Sequence, residues 1–202
     1  MYIFPKFARI LIVGKSCSGK SCLTEKLIRK RMLLFESPPE HILYVSPTAP
    51  PFLKQLPEVQ WVTDIPEKTL RKTLYIIDDY MLNSAILSKS AHIATKTCHH
   101  EDSNLIFITQ GLFNDDKYYR IICDNVTGMV IFKNPRGHHA LSRLSSEIYP
   151  KHSVKYFWDS YFDATNREYG HLYIDLSSRY DLKSNLFTDI AGPNGIIQFS
   201  DE

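Results

Sequence analysis

Residues 10–28 read ILIVGKSCSGKSCLTEKLI, and this stretch decides the fold. The run Ile10–Val13 is apolar on both faces, which is typical of a strand buried in a parallel sheet. The segment Gly14–Ser21, GKSCSGKS, fits GxxxxGK[ST] in full and lies between that strand and an amphipathic pattern. The apolar positions of the pattern share one face of a predicted helix. The order strand, glycine loop, helix indicates a loop that binds phosphate groups.

The residue types in this loop suit a nucleotide and its metal ion. Glycines allow the backbone to curl, so that its N–H groups form an anion nest at a helix N-terminus. Lys20 is predicted to reach the β and γ phosphates, and Ser21 to offer its hydroxyl to Mg²⁺. A glycine turn that binds nothing is the alternative, and the matching flanks favour phosphate. The predicted nucleotide-binding residues are Gly14, Lys15, Ser16, Cys17, Ser18, Gly19, Lys20, Ser21 and Cys22.

A second apolar run ends in two carboxylates. In LYIIDDYM, residues 74–81, the predicted strand Leu74–Ile77 is followed by Asp78 and Asp79. In phosphate-loop enzymes an acid at this position holds Mg²⁺, and the next acid orients the attacking water. Asp78 is therefore the predicted metal carboxylate, through water, and Asp79 the predicted catalytic carboxylate. A solvated strand end is the alternative, and the loop makes it less favoured.

A third run, LIFITQG at residues 105–111, ends in Thr109 and Gln110. In ATPases that have a strand between the loop strand and the acidic strand, a polar residue at this position senses the γ phosphate or positions water. Gln110 is the predicted sensor. Together with Lys20 and Asp79 it completes a predicted site for ATP with Mg²⁺.

The composition is that of one α/β domain. The chain has 202 residues and 44% hydrophobic content, enough for one substantial core, and we expect a single domain over residues 1–202. Net charge is +2, with eight basic residues and one acidic residue in positions 1–35. The four cysteines form no CxxC pair, which favours a reducing compartment. No apolar run is long enough for a membrane span or a signal peptide, so we expect a soluble protein.

Short β-branched runs alternate with helical or irregular segments, which predicts a mostly parallel central sheet flanked by helices. Residues 37–66 are rich in proline and are the least regular part, with a short extra strand at Trp61 and Val62. Helices are expected over 79–97, 137–149 and 153–168. The predicted strands are Arg9–Val13, Ile42–Val45, Leu74–Ile77, Leu105–Thr109, Met129–Phe132 and His171–Leu176.

These segments together resemble a known family, the viral genome-packaging ATPases of the FtsK/HerA superfamily. The similarity is strongest to those of Maverick/Polinton elements, adintoviruses and virophages, and more distant to poxvirus packaging ATPases. It covers about residues 7–190 and implies a P-loop NTPase fold of the ASCE, RecA-like type. The segments that carry it, in order, are LIVGKSCSGKS, LYIIDDYM, HHEDSNLIFITQGLF, VIFKNPRG, YFDATNREYGHLYIDL and LKSNLF.

The resemblance implies a ring-forming motor, a pentamer or hexamer, that couples ATP hydrolysis to pumping double-stranded viral DNA into a preformed capsid. It implies sequence-independent DNA contact, a capsid or portal partner, no membrane, and a place in the host cell where virus is assembled, nucleus or cytoplasm, with association with the virion also open. It assigns Lys20 and Ser21 to phosphate and Mg²⁺, Asp78 to the metal, Asp79 to catalysis and Gln110 to sensing.

Ring motors also need a cation on the transferring phosphate, usually supplied by the adjacent subunit. Arg136, in FKNPRG, is the first candidate for this catalytic role, ahead of Arg143 and Arg120. Two positions depart from the family pattern. Gly111 stands where Asn is frequent, and Gly137 stands where Asp is frequent.

Two other functions stay open on the sequence alone. A small P-loop kinase acting on a nucleoside or nucleotide would need a lid with several arginines, whereas the arginines of the second half are scattered. A packaging or transcription accessory protein that binds ATP without turnover would have no need of Asp79. Metal binding at Cys98, His99 and His100 is not favoured, because adjacent histidines point to different faces and the spacing matches no zinc pattern.

Overall fold

The computed structural model describes residues 3–68, 70–193 and 195–200, whose strands form one sheet. The strands are β1 (Arg9–Val13), β2 (His41–Val45), β3 (Val59–Val62), β4 (Thr73–Asp78), β5 (Asn104–Thr109), β6 (Gly128–Phe132), β7 (His171–Asp175), β8 (Leu186–Thr188) and β9 (Ile197–Gln198). Their order across the sheet is β3-β2-β4-β5-β1-β6-β7-β8-β9. Strands β1 to β6 are parallel, and β7, β8 and β9 are added antiparallel.

Helices cover both faces of the sheet, since side chains along each central strand alternate between two buried clusters. One cluster packs under the helix Lys20–Arg29, and the other packs under the helices Ser84–His92, Lys117–Asp124, His138–Ile148 and Val154–Ala164. Within the described ranges, no helix combines the length and the apolar character that crossing a membrane requires. The helices are α1 (Lys20–Arg29), α2 (Arg31–Leu34), α3 (Ser84–His92), α4 (Cys98–His100), α5 (Lys117–Asp124), α6 (His138–Ile148) and α7 (Val154–Ala164), with a 3₁₀ turn at Pro51–Gln55 and a π turn at Ile93–Thr97.

The α/β fold with a mostly parallel, helix-flanked sheet is confirmed, and all six predicted strands form. The strand predicted at 171–176 forms as β7, and it pairs with β6 in antiparallel register. The helix expected over 79–97 begins only at Ser84, where the Asn83 side chain accepts a hydrogen bond from the Ile86 N–H and caps it. Residues 79–83 are therefore a loop, and α5, β8 and β9 are additional elements.

The topology gathers several chain segments at one edge of the sheet. Strand β5 lies between β1 and β4, so the carboxyl ends of these three parallel strands are neighbours. Because β7 runs the opposite way, its first residue, His171, pairs with Phe132 at the end of β6. The start of β7 and the end of β8 therefore lie at the same edge as the glycine loop.

The buried strand positions should dominate stability. Phe107 on β5 is fully buried, with its ring 6.1 Å from that of Tyr119. We expect Phe107→Ala to lower the free energy of unfolding by about 3–5 kcal/mol, because it leaves a cavity between the sheet and α5. Leu33→Ala, at a side chain that is 73% exposed, should change it by less than about 0.5 kcal/mol. Urea denaturation measures both, and a loss at Phe107 as small as that at Leu33 would contradict this account of the core.

Candidate active site

The loop between β1 and α1 folds back over its own lysine. Lys20 Nζ donates hydrogen bonds to the carbonyl oxygens of Gly14 and Lys15, both at 2.7 Å. Burial lowers the pKa of Lys20, and the nearby negative charges of Asp78 and Asp79 oppose that shift. The loop lysine and the acid pair thus lie within electrostatic reach of one another.

Both motif glycines are required by close approach of other atoms. A Cβ at Gly14 would overlap Ser18 Oγ and would lie 2.9 Å from Phe132 Cβ. Gly19 has a φ of 106°, a conformation that residues with a Cβ rarely adopt, and a Cβ there would lie 2.8 Å from the Tyr169 ring. The curl of the loop therefore depends on these two positions having no side chain.

Asp78 ends β4 half-buried, with one oxygen already engaged. The Tyr44 hydroxyl on the adjacent strand β2 donates to Asp78 Oδ2 at 2.6 Å. Burial raises the pKa of Asp78, while the Tyr44 hydrogen bond and the Lys20 charge act in the opposite direction. Tyr44 thus holds the Asp78 carboxylate in one orientation.

Asp79 has a left-handed backbone conformation, with a φ of 62°, and its side chain is exposed. Such a conformation costs a residue other than glycine on the order of 1–3 kcal/mol and persists where the surroundings impose it. Here it turns the chain sharply out of β4. The two adjacent acids consequently differ, one half-buried and hydrogen-bonded, the other open to solvent.

Hydrogen bonds connect the end of β5 to the loop and to the segment after the acids. The Gly14 N–H donates to the Thr109 carbonyl at 3.2 Å, and the Thr109 hydroxyl donates to Met81 Sδ at 3.1 Å. Asn114 Nδ2 donates to the Met81 carbonyl at 3.2 Å. Gln110, exposed, follows Thr109 directly. Its position is therefore set relative to both the loop and the acid pair.

These three segments surround one cavity of about 630 Å³, large enough for the phosphates of a nucleotide. Predicted residues from all three strand ends line it, although they are far apart in the chain. The oxygen donors in it, the Ser21 hydroxyl and the Asp78 carboxylate, are of the type that Mg²⁺ prefers. The lining residues are Ser16, Cys17, Lys20, Ser21, Asp78, Asp79, Met81, Leu82, Ile108, Thr109 and Gln110.

Arg136 lies apart from this group, exposed, after β6. It lines a separate cavity of about 260 Å³ that also includes Gly14, Gly111 and Phe113. The backbone N–H of Arg136 donates a hydrogen bond to Asn134 Oδ1 at 3.2 Å. The Arg136 side chain does not line its own chain's large cavity, as far as the described residues show.

The two arginines ranked behind Arg136 also lie outside the large cavity. The Arg143 guanidinium lies 4.4 Å from the Phe113 ring centroid and also pairs with Glu147 at 2.8 Å. Arg120 lies 3.8 Å from Asp115 and is largely exposed. Both are already engaged by groups of their own chain.

Two residues of the site were missed at the sequence level. Tyr44 lies on β2, where nothing in its run of apolar residues marks a partner for an acid on another strand. Met81 was expected inside a helix. Both positions depend on which strands become neighbours, which a single sequence does not show.

Comparison with known proteins identifies the fold. No protein-family model and no curated protein matches the chain. It is similar to the genome packaging NTPase B204 of Sulfolobus turreted icosahedral virus 2, solved in complex with sulfate, with 16% identity, a TM-score of 0.57, and coverage of 89% of this chain and 95% of that one. It is also similar to B204, the DNA-packaging ATPase of Sulfolobus turreted icosahedral virus, with 15% identity, a TM-score of 0.56 and 98% coverage of both chains. At such identities the likeness concerns the fold.

The Tyr44 hydrogen bond gives the site a measurable pH signature. Tyr44→Phe removes a donor to the ionised form of Asp78, so the pKa of Asp78 should rise further. The carboxylate would then protonate at a higher pH as the pH falls. A ¹³C carboxyl NMR titration of the folded protein measures this.

Tyr156→Phe is the matched control, because it removes a tyrosine hydrogen bond of 3.0 Å to the Phe199 carbonyl, in a part of the structure away from the cavity. It should leave the Asp78 titration unchanged. An unchanged pKa of Asp78 in Tyr44→Phe would show that the hydroxyl does not stabilise the carboxylate.

Proposed function

We propose that this chain is an ATP-hydrolysing motor that moves double-stranded viral DNA into a preformed capsid. The observation that carries the proposal is that Lys20, Asp78, Asp79 and Gln110 line one and the same cavity. The fold likeness to two solved viral packaging enzymes supports it and favours DNA packaging over other uses of a phosphate loop.

In this proposal each side chain has one task. Lys20 leaves the carbonyls of Gly14 and Lys15 and binds the β and γ phosphates, for which the curled backbone supplies further N–H donors. Ser21 and Asp78 hold Mg²⁺, which when bound neutralises charge on the phosphates. The two remaining tasks concern the attacking water and fall to the exposed polar side chains.

Both acids line the cavity, but Asp79 is exposed to solvent, whereas Asp78 is half-buried and bonded to Tyr44. Asp79 is therefore the group suited to orient a water molecule and accept its proton. Gln110, at the tip of the strand between the loop strand and the acidic strand, positions that water or senses the γ phosphate. The Tyr44 hydrogen bond fixes the orientation of the Asp78 carboxylate, which suits Asp78 to the metal role.

The finer parts of the proposal concern assembly. We place the chain in the FtsK/HerA branch, near the Maverick/Polinton, adintovirus and virophage type, as a pentameric or hexameric ring at the capsid or portal vertex, acting where virus is assembled in the host cell. Arg136 is exposed and lies outside its own chain's large cavity, as an arginine that serves the neighbouring subunit must. DNA would be held through its backbone by lysines and arginines.

Turnover measurements test the motor directly. Lys20→Ala should abolish nucleotide binding and hydrolysis, because the phosphates lose their cation. Asp79→Asn should keep ATP binding but lower turnover by about 100-fold or more, because it removes the proton acceptor. Asp115→Asn, at a fully exposed acid, is the matched control and should behave as wild type. ATP hydrolysis is measured with and without duplex DNA, which should stimulate the wild type.

Two outcomes would replace this function. Phosphate transfer to nucleosides or nucleotides, with no response to DNA, would make the chain a kinase. Tight ATP binding without turnover, even with DNA and the capsid present, would make it a nucleotide-binding accessory protein.

A mixing experiment tests Arg136. If it acts on the adjacent subunit, Arg136→Ala should lower turnover by about 1,000-fold. Mixing this variant with the inactive Lys20→Ala variant should restore measurable hydrolysis, because a Lys20→Ala subunit can then supply Arg136 to a neighbour with an intact loop. Lys133→Ala, a nearby exposed cation, is the control. Turnover of Arg136→Ala within twofold of wild type would exclude the role.

A further inference from the structure

A second cavity, of about 200 Å³, opens against the first turns of α1. Neither the acid pair nor Gln110 lines it. It exists because the antiparallel strand β7 begins, and β8 ends, at the edge of the sheet that carries the glycine loop. Gly19 and Cys22 line it, together with Tyr169 just before β7 and His171 at the start of β7.

The two cavities share the glycine loop. Lys20 and Ser21 line the large cavity, while Gly19 and Cys22, on either side of them in the chain, line the second. A nucleotide whose terminal phosphates lie at Lys20 and the acids would have the phosphate nearest its sugar at the first turn of the helix. Its sugar and base would then continue past Cys22 into the second cavity.

Tyr169 presents an aromatic ring in this cavity. It is 54% exposed, and its ring lies directly against Gly19 of the loop. Its backbone is held in the left-handed region, with a φ of 58°. A large exposed ring beside a phosphate loop is suited to stack on a nucleotide base, and such stacking tolerates any base because every base has a π face.

His171 adds a second observation that points to a ligand. It lines the cavity, is only 7% exposed, and its Nδ1–H donates to the Tyr169 carbonyl at 3.3 Å. Burial lowers the pKa of His171, which favours the neutral ring, and Nε2 is then an acceptor. Nε2 is buried and has no hydrogen-bond partner among the described residues. Buried polar atoms normally have one, so Nε2 is an acceptor available to a ligand in this cavity.

Four charged side chains line the cavity, and two of them pair with each other. Arg167 pairs with Asp189 at 2.6 Å and also donates to the Thr188 hydroxyl at 3.3 Å. The Arg167 charge is therefore balanced by a carboxylate of the cavity lining. Lys26 lies one helical turn beyond Cys22 and also lines the cavity. The cavity therefore offers an aromatic face and an unused acceptor, with the charged side chains of Lys26 and Glu168 also in its lining.

We propose that this second cavity binds the base and ribose of the nucleotide, with Tyr169 stacked on the base. The proposal rests on the proposed function only in that a nucleotide occupies the glycine loop. It divides recognition into two parts, the phosphates at Lys20 and the nucleoside at Tyr169.

Calorimetric binding of two ligands separates these parts: ATP, and inorganic tripolyphosphate, which has the phosphates but no nucleoside, each with Mg²⁺. Tyr169→Ala should weaken ATP binding by about 5- to 100-fold, the range of base stacking, and leave tripolyphosphate within twofold of wild type. Tyr169→Phe, which keeps the ring, should bind ATP as wild type does. Phe162→Ala removes an exposed aromatic side chain of similar exposure elsewhere and should change neither affinity.

Each other result overturns the assignment. Equal losses for ATP and tripolyphosphate in Tyr169→Ala would mean that the ring only supports Gly19 and the loop. Unchanged ATP affinity would place the base elsewhere, as would equal affinity of the wild type for ATP and tripolyphosphate. Failure of the motor proposal has a different readout, namely ATP hydrolysis that duplex DNA does not stimulate. The two results are distinguishable because the binding affinities do not depend on hydrolysis.

Discussion

The structure depends on a partly buried lysine and an acid pair at the edge of an apolar sheet. Lys20, Asp78 and Asp79 lie within electrostatic reach, and burial works against the charge of Lys20 and of Asp78. The cost is met by local hydrogen bonds: two loop carbonyls accept from the lysine, and Tyr44 donates to Asp78. Partly buried charged groups of this kind are common at functional sites, where charge is needed.

The position of the site follows from strand order more than from the loop itself. Because β5 separates β1 from β4, the ends of three strands converge, and Gln110 lies between the glycine loop and the acids. The hydrogen bonds of Thr109 to Gly14 and to Met81 then fix the spacing. The antiparallel addition of β7 and β8 brings Tyr169 and His171 to the same edge. One side of the loop thus faces Asp78, Asp79 and Gln110, and the other side faces the rings of Tyr169 and His171.

The predictability of the structure from the sequence differed between local and long-range features. The loop, the strand before it and the helix after it were predictable because the pattern is contiguous and each position has a local physical requirement. The strand Thr73–Asp78 was predictable for the same reason. The reversal of β7 was not, because a short apolar strand has the same pattern in either direction. Tyr44 and Tyr169 could not be identified either, since their roles come from neighbours more than 30 residues away in the chain.

The hydrogen bonds of Lys20 to its own loop have a consequence for ligand binding. An anion that binds Lys20 has to replace the carbonyl oxygens of Gly14 and Lys15, which accept hydrogen bonds from Nζ at 2.7 Å. A weakly charged anion offers little more than the carbonyls already do, whereas a triphosphate offers several charged oxygens at once. These hydrogen bonds therefore favour ligands of high charge density, because only several charged oxygens together offer Lys20 more than the two carbonyls do.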